Sequence, residues 1–201
     1  RTQGEMAKKH IFEALKTGGS LLYAYRGLQL GLNTVYAHLS RRLQPNTALR
    51  YRQYYPQGRD FFNTSLSYSY ASARWSVNGE TAIDRQGHLA TVNSASLLLG
   101  DAWSLMALQR FYSFRYASLD AQSYSSGGRV QNESGLYLGL TWKPSPSLQL
   151  MAYTDFAYYA WARYRVPQSS HAWDHLVQAT WRHRKWNFFA RYRLQQSQHR
   201  F

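Results

Sequence analysis

Phe62-Asn63-Thr64-Ser65-Leu66-Ser67-Tyr68-Ser69-Tyr70 changes chemical character at every second residue. Phe62, Leu66, Tyr68 and Tyr70 alternate with Asn63, Ser65, Ser67 and Ser69. A period of two is the mark of a β-strand with one apolar and one polar face. The same alternation follows directly, with Trp75, Val77 and Ile83 set against Ser76, Asn78, Glu80 and Asp84. Near the end of the chain, Trp186, Phe188, Ala190, Tyr192 and Leu194 alternate with Asn187, Arg191 and Arg193. Repeated segments of about ten such residues are the pattern of a transmembrane β-barrel.

Outward from these strands, turn residues divide the chain into further segments. Leu89–Leu99 reads as a strand between the turns Arg85-Gln86-Gly87-His88 and Gly100-Asp101. Residues 102–113 return. A polar, Ser- and Gly-rich loop covers 118–130. Residues 133–143 and 147–157 form a hairpin around Pro144-Ser145-Pro146, and 173–183 with 186–195 form the last hairpin around Arg184-Lys185. Toward the N-terminus, 21–26 and 28–39 predict a hairpin at Gly27, followed by a basic aromatic loop over 40–56. Short links at 85–88, 100–101, 144–146 and 184–185 alternate with long ones at 114–132 and 158–172, as the two ends of an outer-membrane barrel do. The expectation is an all-β antiparallel transmembrane barrel of about ten strands over 19–201, either complete or part of a larger barrel. A short helix over 1–18 precedes it as a plug or rim segment, with Ala7, Ile11, Ala14 and Leu15 on one face and Thr17-Gly18-Gly19 ending it.

Composition agrees with strands rather than helices as any spanning element. The chain of 201 residues has no apolar run long enough for a membrane helix, and its mean hydropathy is −0.55. Its 17 Tyr and 7 Trp suit membrane–water interfaces, where a ring can be apolar and its tip wet. A soluble β-sandwich with an aromatic core is the competing architecture. No cysteine is present, which excludes disulfides and thiolate metal sites. The net charge of +14 is spread along strands and loops, which points to an arginine-lined interior and anionic lipid headgroups before nucleic acid. No signal-peptide pattern opens the chain, so a mature chain or a section of a longer one is expected.

Several short motifs occur in a fixed order. They are Gly79-Glu80 with Asp84 and Gly87, then Gln109-Arg110-Phe111-Tyr112, then Asn132-Glu133-Ser134-Gly135. Tyr153-Thr154-Asp155 follows, with Trp161-Ala162-Arg163-Tyr164-Arg165 and Arg191-Tyr192-Arg193. In this order the stretch 79–193 resembles a family of helix-hairpin-helix domain-containing outer-membrane proteins of Bacteroidota, in its barrel portion only. Residues 2–18 resemble a segment that precedes barrel strands there. The chain departs from the family in having no helix-hairpin-helix region. It is therefore expected to be the distal part of a longer protein, or to end at an aromatic C-terminal Phe201 as many outer-membrane barrels do.

If the apolar set meets lipid, Glu80, Asp84, Arg110, Glu133, Asp155, Arg191 and Arg193 face the lumen. There they form a structural salt-bridge network or line a solute pathway. In the 40–56 loop, Arg50, Tyr51, Arg52, Tyr54 and Tyr55 interleave stacking and phosphate-binding side chains, suited to lipid headgroups or to nucleic acid. No nucleophile elbow or zincin motif occurs. The seven histidines are scattered, and His171 with His175 falls outside any helix. No enzyme, cofactor or metal is expected. The reading is a bacterial outer-membrane channel, or a membrane-embedded subunit of a larger assembly, with lipid bilayer, lipopolysaccharide and other outer-membrane subunits as partners. A DNA-handling outer-membrane component and a soluble sandwich binding protein are the alternatives.

Overall fold

The computed structural model describes residues 13–198. Ten strands follow one another in a single sheet: β1 (Ala14–Tyr25), β2 (Leu28–Leu43), β3 (Gly58–Ala71), β4 (Trp75–Asp84), β5 (Leu89–Leu99), β6 (Trp103–Tyr112), β7 (Glu133–Ser145), β8 (Leu148–Tyr159), β9 (Ser170–His183) and β10 (Trp186–Ser197). Each is hydrogen-bonded antiparallel to the next, and chain order is sheet order. Among the described residues the only helical element is one 3-10 turn, Arg50–Arg52. Strands touch only their sequence neighbours, so among the described residues no second sheet packs face to face as a sandwich requires. The sheet is not closed either. β1 and β10 remain edges, and every residue of both is exposed.

The expected helix fails where it can be checked. From Ala14 the backbone is a strand, paired residue for residue with β2 from Ala14↔Leu39 to Tyr25↔Leu28. Glu13 already joins this ladder, since its carbonyl accepts from the Ser40 amide at 2.9 Å. Cross-strand pairing overrides a helical spacing of four apolar residues. Gly18 lies inside the strand, where an added Cβ would stand 2.7 Å from the Thr34 carbonyl oxygen. The rest of the expected helix, residues 1–12, and Phe201 lie outside the described residues.

The connections sort into two ends. At one end lie the tight turns 26–27, 72–74, 100–102, 146–147 and 184–185. The first is built on consecutive left-handed residues, Arg26 at φ 44° and Gly27 at φ 83°, the geometry a two-residue hairpin needs. At the other end lie the long loops 44–57, 113–132 and 160–169. The short turn 85–88 belongs to this loop end, not to the turn end as strict alternation of link lengths implies. The strand boundaries also move a little: β7 runs through Pro144, and β8 and β9 shorten the expected 158–172 loop.

Register gives each face of the sheet a distinct chemistry. One face carries Leu32, Leu66, Leu138 and Val177 in its middle. At its turn end stand Trp75, Trp103, Trp142, Trp181 and Trp186, and toward its loop end Phe111, Phe156 and Trp173. Trp103 stacks on Trp142 with ring centroids 4.9 Å apart, and Phe156 meets Trp173 at 4.6 Å. Most of the exposed large apolar side chains in the strands lie here; Leu22, Val35, Leu98, Met106 and Phe189 are the exceptions. The opposite face carries Ser, Asn, Gln, Gly and most of the charged residues, and near the loop end it buries two small cores, Ala37 with Leu39 and Phe61, and Ala90 with Tyr112 and Tyr116.

Gly79 marks a close approach on the apolar face. A Cβ there would lie 2.5 Å from both the Tyr68 ring and Asn93 Oδ1, which are hydrogen-bonded to each other. Gly19 in β1 has open space around it. Gly79→Ala is expected to lower unfolding stability by about 1–3 kcal/mol, the usual cost of overpacking. Gly19→Ala is expected to be neutral or slightly stabilising. Denaturant titration of the two variants side by side checks this.

Candidate functional site

All seven charged residues expected to share an interior do share the polar face. Glu80 pairs across to Val92, Val92 to Arg110, and Arg110 to Gly135. Asp155 pairs with Asp174, while Arg193 and Arg191 stand opposite Leu176 and Gln178. Their roles separate into three groups by what each side chain touches.

Toward the loop end of the face lies Arg110, with 0% of its surface exposed. Its Nε donates to Glu133 Oε1 at 2.5 Å, and its Nη1 to Asp155 Oδ1 at 2.7 Å. Nη2 donates to Asp155 Oδ2 at 3.2 Å and to Ser126 Oγ at 3.0 Å. Both carboxylates are buried as well. Gly135 makes room for the guanidinium, because a Cβ there would collide with it. Two carboxylates around one guanidinium leave the cluster with excess negative charge, and neutral donors from the loop 113–132 answer it. Ser126 and Gly127 amides donate to Glu133 at 2.9 and 2.8 Å, and Ser125 Oγ donates to it at 2.6 Å. Ser126 Oγ and Tyr124 Oη donate to Asp155 at 2.8 and 3.1 Å.

The loop is thereby tied down onto the polar face. Farther along, the Ala117 amide donates to Asp84 Oδ2 at 3.0 Å, and Asn63 Nδ2 donates to the Ala117 carbonyl at 3.0 Å. Lys16 of β1 reaches Asp120 at 2.5 Å. The loop therefore spans the face from β1 to β8. Asp84 also closes the turn 85–88 by accepting from the Gln86 and His88 amides at 2.9 and 2.8 Å. These contacts hold the loop as a cap on the polar face. Burial, reinforced by the Asp155 carboxylate, raises the Tyr124 phenol above the ordinary tyrosine value, and burial raises Tyr116 likewise.

The other charged residues are peripheral. Arg193 pairs with Asp174 through Nη2 at 2.5 Å and Nε at 2.9 Å, and Arg191 Nε donates to Gln178 at 2.8 Å. Glu80 stays exposed on the wall of a cavity of about 210 Å³ beside Asn63, Ser65 and Tyr116. Asp174 was not among the residues singled out by sequence. Its alternation with Trp173 and His175 carries the signal, although that strand alternates weakly. Tyr124, Ser125 and Ser126 had no signal, because their contacts cross a loop.

Arg50, Tyr51, Arg52, Tyr54 and Tyr55 gather at the loop end, where the three long loops meet. Gln131 Nε2 donates to the Tyr54 and Phe114 carbonyls, the Asn132 side chain bonds both backbone groups of Trp161, and Trp161 Nε1 donates to the Arg50 carbonyl at 2.9 Å. Among the described residues no group of three or more His, Cys, Asp or Glu could hold a metal. The sequence matches no family model and no curated protein. What the fold defines is an antiparallel ten-stranded all-β meander with one apolar and one polar face.

Arg110→Met is expected to cost about 3–5 kcal/mol, because it leaves two buried carboxylates without their cation. The triple variant Arg110→Met, Glu133→Gln, Asp155→Asn is expected to recover most of that loss in chemical denaturation. Cap docking has a pH dependence of definite sign. A phenol raised in the docked state favours docking fully below the ordinary tyrosine value of about 10, and this contribution is lost as pH rises through the raised value. Amide exchange at Ser126 and Gly127 is expected to accelerate above about pH 10 beyond its intrinsic increase. Tyr124→Phe is expected to remove most of that extra acceleration.

Proposed function

We propose that this chain is a membrane-spanning section of a bacterial outer-membrane β-barrel that serves as a membrane-embedded subunit of a larger assembly, its interior capped by its own loop. The observation that carries this reading is the apolar face. It is largely exposed, carries aliphatic side chains with a few Thr, Asn and Gln in its middle, and is bordered toward both ends by Trp, Tyr and Phe. In water such a surface is a large uncovered patch. Against hydrocarbon and two interfaces it is the surface a barrel needs. Lipid and lipopolysaccharide are then the partners of that face, and the resemblance to outer-membrane barrels agrees with it.

Two further observations refine the reading. A bilayer tolerates no unpaired strand edge. Edges as long as β1 and β10, each of 12 residues, call for further strands, which supports a section of a wider barrel. The loop 113–132, held on the polar face by buried ion pairs, favours a capped interior over an open channel. The reading includes no catalytic step.

Leu138, 46% exposed in mid-strand, separates membrane from water. In a bilayer Leu138→Arg is expected to cost about 2–4 kcal/mol near the midplane. On a water-exposed surface it would stay within about 0.5 kcal/mol. The comparison is made by denaturant unfolding from lipid vesicles, together with gel mobility before and after boiling and the intact mass of membrane-extracted protein. A mobility shift with a mass well above 23.4 kDa would support the wider barrel. Solubility without detergent, no shift and a neutral Leu138→Arg would sink the proposal.

A further inference from the structure

Six arginines gather at the loop end: Arg50, Arg52, Arg115, Arg129, Arg163 and Arg165. Among the described residues none of them is ion-paired, whereas Arg110 and Arg193 are. Each lies over an aromatic ring instead, with its guanidinium carbon 3.7–5.3 Å from a ring centroid. A ring holds a guanidinium flat without neutralising it, and it leaves the N–H groups along the guanidinium edge free to donate. Arg163 is the most constrained. It lies 3.7 Å over Tyr159, its Nε donates to Ser170 Oγ at 3.2 Å, and its buried Nη2 has no acceptor. Arg52 Nε is likewise buried without a partner. A buried cationic donor without an acceptor is destabilising unless something supplies one.

Arg129 and Arg163 line a cavity of about 270 Å³ whose walls include Tyr54, Phe114, Trp161 and Tyr164. The rings are braced against one another: Tyr54 meets Phe114 at 5.0 Å and Trp161 at 4.9 Å, and Tyr51 meets Tyr164 at 5.6 Å. Gln131, Asn132 and Trp161 fix the loops through the hydrogen bonds described above, so the cavity is built before any ligand arrives. It borders the polar face, since Gly127 and Tyr159 in its wall adjoin Glu133.

We propose that this cavity is a recognition site for a phosphomonoester carried on a ring. Two guanidinium groups lining one space, those of Arg129 and Arg163, suit a phosphate dianion, which accepts from more than one fork at once, better than a lone carboxylate. The aromatic walls suit a flat or pyranose ring beside that phosphate. A volume just below the ~300–1,000 Å³ of drug-sized pockets fits one ring and one phosphate rather than an oligomer. The ring phosphate can come from a soluble nucleotide or sugar phosphate, or from a phosphorylated glycolipid headgroup. The inference rests on the loop geometry and stands independently of what medium meets the apolar face.

The test is isothermal titration of the full chain, folded in the medium that keeps it monodisperse, at low ionic strength. Probes are AMP, glucose 6-phosphate, uncharged adenosine and glucose, and lipopolysaccharide micelles. At least one phosphate-bearing probe is expected to bind, and its uncharged counterpart to bind at least about tenfold more weakly, the effect of losing one charge-assisted hydrogen bond. Arg163→Gln and Arg129→Gln are each expected to weaken binding by about tenfold or more on the same basis. Arg129 is exposed, so its variant keeps the test valid should Arg163→Gln disturb folding. Arg74→Gln, at the turn end, is expected to change nothing. Saturation by AMP or glucose 6-phosphate identifies a soluble source; saturation by micelles alone, still weakened by Arg129→Gln, identifies a headgroup. No binding of any phosphate probe, equal binding of the uncharged compounds, or full affinity in the Arg129 variant overturns the proposal. So does binding of a single-stranded oligonucleotide when no phosphate probe binds.

Discussion

A guanidinium held between two carboxylates, out of contact with water, organises the polar side of this sheet. Arg110 joins β6 to β7 through Glu133 and to β8 through Asp155, so the cluster staples three consecutive strands. Ion pairs of this kind contribute little net stability, since desolvation of the charges offsets much of their attraction. Their effect is on specificity. The second carboxylate leaves the cluster short of donors, and only the segment 124–127 supplies them. The loop can therefore satisfy the cluster in one place. That requirement converts a Ser- and Gly-rich stretch, which by composition reads as loose, into an ordered cap.

The cap in turn sets the architecture of the loop end. With 113–132 pinned over Arg110, its flanks bring Phe114 and Arg129 toward the 44–57 and 160–169 loops. Gln131 and Asn132 then lock all three together. Asn132 does so from a left-handed backbone conformation, φ 58°, which asparagine tolerates better than most residues. The aromatic and arginine side chains at the loop end thus owe their arrangement to a charge cluster deeper in the sheet. The two regions form one mechanical unit, although no sequence pattern links them.

Alternation made the strands legible, and it did so best where both faces are chemically pure. β3, β4 and β10 are legible to within a few positions because Ser, Asn or Arg alternates with aliphatic or aromatic residues there, whereas β5 is legible to the residue from the turns on either side of it. β1 was misread at its start, because Ala14 and Leu15 fit a helical face as well as a strand until their pairing with β2 is known. The charged residues could be placed on a face by parity alone. Their partners could not, since Arg110 and Asp155 are separated in the chain by a long loop, the whole of β7 and a turn. The clustering of Arg50, Tyr51, Arg52, Tyr54 and Tyr55 was visible in sequence, but their meeting with Phe114 and Trp161 depends on long-range loop docking.

The apolar face is not uniformly apolar. Tyr68, Asn93 and Gln109 interrupt it in a single row across β3, β5 and β6. Polar groups in lipid are costly unless they bond one another. Here the Tyr68 hydroxyl donates to Asn93 Oδ1 at 2.8 Å, and the Asn93 amide donates to Gln109 Oε1 at 2.7 Å. Gly79 lies beneath the chain because any side chain there would push Tyr68 and Asn93 apart. Thr81 and Thr91 bond each other in the same way at 2.8 Å. Such pairing lowers the cost of polar groups on either face, since Ser69 bonds Asn78 and Ser76 bonds Ser96 at 2.7 Å on the polar side in the same way.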